Sequence, residues 1–315
     1  MRATPDPESV TPDSATRRTH ASGLASRMPA PVLVLLAVLS VQFGGALAAT
    51  LVPEIGAAGS VTLRLLIATL VLLAVARPRL RGHDRQAWVT VVLFGLALGA
   101  MNWSFYASLG RLPIGVAVTI EFVGPLVLTV ALSRRAVDFV AVVGAAAGVV
   151  LISEALSVPF AELDLVGLGL AALAGACWAA YIVLSKRTGA AFSQLDGLAI
   201  AMVVASVAVA PFGLGSVPQW TGEILLKGVG IAVLSSVLPY SLELLALRRM
   251  SSRVFGILLS LEPAMAALAG FLVLDQRLTG LQILGIALVM GASTLVMGTS
   301  HSRPNQDDGP AAIGG

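Results

Sequence analysis

The sequence predicts an all-α integral membrane protein with ten transmembrane helices in two inverted halves of five. Three observations carry this expectation: an apolar composition, a segregation of basic residues, and an internal repeat. Of the 315 residues, 57% are hydrophobic and 12% charged, with a mean hydropathy of +0.91, outside the range of soluble globular domains. A bilayer core asks for about 20 consecutive apolar residues per helix, and such runs follow one another from Pro31 to Thr299.

Charges, prolines and glycines divide that stretch into elements. The first run, 32–51, follows Arg27 and Pro31 and closes before Pro53 and Glu54; the second, 58–76, begins beyond Gly56 and ends at Arg77 and Pro78. The third, 88–107, and fourth, 113–132, are separated only by "SLGRLP". A fifth, 137–153, lies between Arg135 and Glu154, and a sixth, 165–184, between Asp164 and Lys186. The seventh, 196–212, stops at Pro211 and Gly213, the eighth, 224–246, before Arg248, the ninth, 254–273, before Asp275, and the tenth spans 280–298. Residues 1–31 and 299–315 are polar tails, expected to be disordered and cytoplasmic. The first half then covers 32–154 and the second 165–298.

The 20 Lys and Arg residues test the count. With the N-terminus in the cytoplasm and ten crossings, 16 fall inside and only Arg111, Lys227 and Arg277 outside, with Arg64 left within a span. That asymmetry is the positive-inside rule, and an odd number of helices reverses every later loop and destroys it. Both termini are therefore expected in the cytoplasm. The same distribution argues against nucleic acid as a partner, because the cations sit in small groups between apolar segments and form no single patch.

Sliding the chain on itself by 138 residues aligns "GRLPIGVAVTIEFVGPLVLTVAL" (110–132) with "RRMSSRVFGILLSLEPAMAALAG" (248–270) without a gap, so that Pro125 meets Pro263. Five helices per half is odd, so the second half enters the membrane inverted. Inverted repeats recur in secondary transporters, with the substrate near the midplane at the repeat interface. Together, "NWSFYASLGRLPIGVAVTIEFVGPL" with "RRAVDF", and "LPYSLELLALRRMSSRVFGILLSLEPAMAALAGFLVLDQRLTGLQILGIALV", resemble the two EamA repeats of the drug/metabolite transporter superfamily, and within it the RhtA-type exporters of threonine and homoserine. The resemblance covers about residues 32–298. It implies two inverted five-helix EamA repeats in a bacterial inner membrane and export of small amino acids or other polar metabolites.

Acidic residues mark the chemistry. Of 17 Asp and Glu, 14 fall in tails, loops or helix ends, while Glu121, Glu243 and Glu262 lie within predicted spans, joined by Arg64. A charge at the centre of a span costs ~2.5–3.5 kcal/mol on insertion scales, so such groups normally face a cavity or a partner. Counting from the outer ends at 1.5 Å per residue, Glu121 lies ~12 Å deep and Arg64 ~9 Å deep. Similar depth suggests an ion pair, either a lock between two helices or a pair that parts to hold a substrate carboxylate on Arg64 and an ammonium group or proton on Glu121. Glu262 mirrors Glu121 across the midplane, just before Pro263. Glu243 lies near the inner end of its helix, where snorkelling or pairing with Arg248 or Arg253 is the simpler expectation. Gln42, Asn102, Trp103, Tyr106, Tyr240 and Ser241 are further polar candidates, each more often helix-packing glue than a ligand contact.

A secondary active exporter coupled to protons is the function these features favour, with a small molecule, protons and the lipid bilayer as partners. No cofactor is implied, since no phosphate-cradling GxxxxGK[ST] stretch occurs. An intramembrane enzyme is disfavoured because the spans carry neither paired aspartates nor a histidine, His20, His83 and His301 all lying outside them. Export of another metabolite or drug class on the same fold, and a passive channel, are the alternatives.

Overall fold

The computed structural model describes residues 28–112, 114–133, 135–153, 156, 159, 163–262, 264, 265 and 279–300. Within them the chain forms α1 (Ala30–Ala76), α2 (Arg85–Leu109), α3 (Ile114–Leu132), α4 (Ala136–Ile152), α5 (Leu165–Ala191), α6 (Asp196–Gly213), α7 (Gly222–Ala232), α8 (Leu238–Leu247), α9 (Ser252–Leu259) and α10 (Gly280–Ser300). Five segments among the described residues are long and apolar enough to cross a membrane: Thr50–Ala76, Arg85–Leu109, Leu165–Ala191, Asp196–Gln219 and Gly222–Leu247. Apolar side chains such as Leu70, Val207 and Leu226 point outward, at 67%, 69% and 73% exposure. In a membrane protein that surface meets lipid.

The 47 residues of α1 are too many for one crossing. Gly56, with φ 72° and ψ 167°, breaks the helix close to Pro53, a left-handed backbone that glycine adopts without steric penalty. The two arms fold back on each other. Leu47 faces Gly230 and Leu63 faces Gly228, on the same turn of α7, whereas a straight helix would hold these leucines ~24 Å apart. The sequence division at 51 and 58 thus falls on the observed bend.

Other boundaries moved. Helix α5 runs to Ala191, past the expected end at 184. Charge at Lys186 and Arg187 marks where a helix leaves hydrocarbon, not where its hydrogen bonding stops. A six-residue 3-10 turn, Leu214–Gln219, continues α6, and the eighth run is interrupted by a π-turn, Val233–Val237. Pro239 explains it: without an N–H and with a ring that crowds the preceding turn, the helix widens, and Leu238 N–H bonds back to Val233 O. Ser40 Oγ on the first arm of α1 donates to Leu234 O at 2.6 Å, tying the widened turn down. Residues 1–27, 266–278 and 301–315, which include most of both expected tails and the end of the ninth run, lie outside the described residues.

Small residues set the closest crossings, as is usual between membrane helices. A Cβ on Gly124 of α3 would collide with the backbone of Gly175 on α5, and one on Gly175 would approach Glu121 O to 2.6 Å. Helices α4 and α10 cross in the same way at Gly148 and Gly285. Around these crossings lies one large core that includes Phe94, Tyr181 and Phe255.

Connections gather at two ends of the bundle. At one, Arg79 N–H meets Asp196, Arg248 meets the Phe192 and Gln194 carbonyls, Arg249 meets Met28 O, and Arg253 pairs with Asp138 at 2.9 Å. At the other, Lys227 pairs with Glu54 and Glu223, and Arg111 with Asp164.

Candidate functional site

The polar groups inside the bundle converge from α1, α2, α3, α5, α8 and the helical continuation of α9. Arg64, on the second arm of α1, is 6% exposed. Its Nη2 donates to Asn102 Oδ1, and its guanidinium lies 5.3 Å over the Tyr106 ring, a cation–π arrangement. Asn102 and Tyr106 are i and i+4, so one face of α2 supplies both contacts. Asn102 Nδ2 in turn donates to Leu98 O at 2.8 Å and to Tyr240 Oη at 3.1 Å. Arg64 Nε is buried with no hydrogen-bond partner among the described residues.

The expected Arg64–Glu121 ion pair is not formed: none of the ion pairs among the described residues involves Arg64. Depth along a helix fixes height in the membrane but not azimuth, and the azimuth of Arg64 favours α2. Glu121 is buried, 9% exposed, and among the described residues its carboxylate has no hydrogen-bond or ion-pair partner. It sits where α3 is weakest. Pro125 lacks the N–H that would bond Glu121 O, and the backbone of α5 presses on the same turn through Gly175. Phe122 beside it packs edge-on against Trp178 at 4.8 Å.

Glu243 also departs from expectation. It is 5% exposed and accepts a hydrogen bond of 2.7 Å from Tyr181 Oη on α5. The cations proposed for it are engaged elsewhere, Arg253 by Asp138 and Arg248 by backbone carbonyls. Nearness to a helix end therefore did not mean nearness to water, because α5 covers this face. Tyr240, one turn before Glu243, brings its ring to 5.7 Å from that of Tyr181. A polar chain results, from Arg64 through Asn102 and Tyr240 to Tyr181 and Glu243.

Glu262 is half-buried and lies within electrostatic reach of both Glu243 and Glu121. Its backbone carbonyl accepts from Gln42 Nε2 at 3.2 Å, joining the first arm of α1 to the second half of the chain. Pro263 lies outside the described residues. Two of the other candidates stand apart: Trp103 packs on Phe212 at 4.7 Å, and Ser241 Oγ bonds Val237 O on its own helix. Among the described residues no group of three or more His, Cys, Asp or Glu side chains is placed to hold a metal ion.

Sequence reasoning missed Tyr181. It stands in an Ala- and Gly-rich run that reads as scaffold, and its partner is 62 residues away. The available signal was chemical: a tyrosine hydroxyl at membrane depth needs an acceptor.

The helical membrane bundle thus holds two buried carboxylates, Glu121 and Glu243, a half-buried one, Glu262, and one buried guanidinium, Arg64, at its centre. The chain belongs to the EamA-like transporter family, whose model matches residues 165–298. It is similar to the threonine/homoserine exporter RhtA of Salmonella typhimurium strain LT2, with 43% identity over 267 residues, or 84% of this chain and 90% of that one. It is 40% identical over 277 residues to the exporter of the same name from Escherichia coli strain K12, covering 86% and 93% of the two chains. A protein of known crystal structure matches with a TM-score of 0.71 at 18% identity, over 86% of this chain and 97% of that one, a likeness of fold alone.

Proposed function

We propose that this transporter is a secondary active exporter of small amino acids, threonine and homoserine foremost, working by proton antiport with alternating access. In this reading ten transmembrane helices form two inverted EamA repeats, 32–154 and 165–298, with both termini in the cytoplasm of a bacterium and the bundle in its inner membrane. The gathering of all Lys and Arg among the described residues, apart from Arg64, Arg111 and Lys227, at one end of the bundle supports that orientation. The names of the relatives support the substrate class.

One observation carries the mechanism. Among the described residues, Arg64 keeps a buried donor, Nε, without a partner, and the carboxylate of Glu121, a residue only 9% exposed, has no hydrogen-bond or ion-pair partner. An α-amino acid supplies the complement of both, its carboxylate to the guanidinium and its ammonium group to the glutamate. Glu262, electrostatically linked to Glu121 and Glu243, is the second acid on which a proton can be held. Proton and substrate then compete for the same carboxylates, and their alternate occupation couples export to proton entry. Tyr106, Asn102, Tyr240 and Gln42 shape the site around them.

Proteoliposomes with an imposed pH gradient test this. Threonine and homoserine are expected to move against protons, and Arg64→Ala to weaken apparent substrate affinity by about tenfold to a hundredfold, the loss of a hydrogen-bonded charge of ~1.5–3 kcal/mol. Unchanged affinity leaves Arg64 with a packing role only. Single-channel currents from the purified protein would overturn the carrier mechanism.

A further inference from the structure

Three connections meet at Phe192. The His83 ring lies against it with centroids 4.1 Å apart, Trp88 approaches edge-on at 6.3 Å, and Arg248 Nη2 donates to Phe192 O at 2.9 Å and to Gln194 O at 2.5 Å. The Arg79 N–H reaches Asp196 at 3.4 Å. The stretch from Arg77 to Arg85 is thereby fixed beside the end of α5, with Arg77, Arg79, Arg81, Arg85 and Arg187 all exposed.

These guanidinium groups lack carboxylate partners because the local acids are turned elsewhere. Asp84 caps α2 by accepting from Ala87 N–H at 2.7 Å. Asp196 takes the Ser193 hydroxyl at 3.0 Å and the Arg79 N–H, and Asp138 is paired with Arg253. Among the described residues, none of the five arginines enters an ion pair. At the opposite end Arg111 and Lys227 are both paired. The positive-inside rule accounts for the number of cations at one end. It does not call for them to stand unneutralised on a fixed frame, directly above lipid-facing apolar side chains. Val75 is 62% exposed just before the stretch, Val89 50% just after it, and Leu80, between two of the arginines, 60%.

We propose that Arg77, Arg79, Arg81, Arg85 and Arg187, with Leu80, form a binding site for the phosphate headgroups of anionic phospholipids in the adjoining leaflet. The planar guanidinium fork matches phosphate oxygens in a bidentate way that an ammonium does not. Clusters of four or more basic residues flanking a membrane span are placed to recognise such headgroups. Leu80 reaches into the acyl boundary and holds the stretch at headgroup level.

The test uses the full chain in nanodiscs of phosphatidylcholine alone or with phosphatidylglycerol, reading the thermal unfolding midpoint. The midpoint is expected to rise with phosphatidylglycerol and the rise to shrink with added salt. Arg79→Gln/Arg81→Gln/Arg85→Gln loses most of the rise while keeping its midpoint in phosphatidylcholine. The corresponding triple lysine variant, which keeps the charge and hence the orientation, retains less of the rise than the wild type. Inorganic phosphate added to phosphatidylcholine discs produces no rise. The site is overturned if the glutamine variant gains as much from phosphatidylglycerol as the wild type, if the lysine variant matches the wild type at every salt concentration, or if phosphate alone gives the full rise and marks a free-anion site.

Discussion

Two buried glutamates, each four residues from a proline, have been treated in opposite ways. Glu243 follows Pro239; there the helix widens into a π-turn, Ser40 ties the widened turn, and Tyr181 donates to the carboxylate at 2.7 Å. Glu121 precedes Pro125; there the helix stays α-helical, the missing N–H leaves Glu121's own carbonyl without its helical donor, and the carboxylate has no donor among the described residues. A satisfied buried carboxylate is held for geometry. An unsatisfied one is available to a ligand, because a partner that arrives during the cycle gains what the fold has withheld.

The strongest way to break this contrast is Glu121→Gln. Removing the available charge is expected to lower export by about a hundredfold, from ~2.7 kcal/mol at 1.36 kcal/mol per tenfold, with folded yield preserved. Full, pH-dependent export by the variant would show that Glu121 carries neither proton nor substrate. Gly124→Ala places a methyl group against Gly175 one turn from Glu121 and should destabilise the protein by about 1–3 kcal/mol through overpacking. A drop in thermal midpoint in detergent reads it, and an unchanged midpoint would mean that α3 and α5 have room to part. Tyr181→Phe should act the other way round from Glu121→Gln. Leaving Glu243 without its donor costs about 1–2 kcal/mol, seen in the midpoint, with export reduced less than tenfold. If Tyr181→Phe instead abolishes export while leaving stability intact, Glu243 is the working acid and the contrast is inverted.

The smallest effect lies far from both glutamates. Asp164 accepts from Gly167 N–H at the start of α5, and that bond first, then Arg111, holds its carboxyl below the usual range. A depressed folded-state pKa contributes stability that is present above the unfolded value and lost as pH falls through the folded one. Asp164→Asn should therefore lower the midpoint slightly at neutral pH and flatten the acid limb of the midpoint–pH curve. Parallel curves for the two proteins would remove this contribution.

Composition and spacing made the helices legible, down to the bend at Gly56 and the short link through Arg111, because hydrocarbon imposes a length and charge marks its edges. The chemical candidates were legible as residues. Arg64, Glu121, Glu243 and Glu262 stand out in apolar runs, and Asn102 and Tyr240 do join Arg64. Their pairings were not legible. Depth told that Arg64 and Glu121 share a level, but the direction each side chain takes depends on helix rotation, which α2 and the Gly124–Gly175 crossing decide. The same lack of azimuth sent Glu243 toward solvent in the sequence reading and hid Tyr181.

The π-turn before Pro239 is one residue more than an α-helix needs. At 3.6 residues per turn, each residue added or removed rotates everything beyond it by about 100°. Deleting a single residue between Val233 and Val237 would barely shorten the Gly222–Leu247 segment, yet it would swing Tyr240 and Glu243 together away from Asn102 and Tyr181. The extra residue works as the chain's setting screw: it fixes which way α8 faces α2 and α5, and its loss would leave every side chain present and the centre of the bundle empty of two of them.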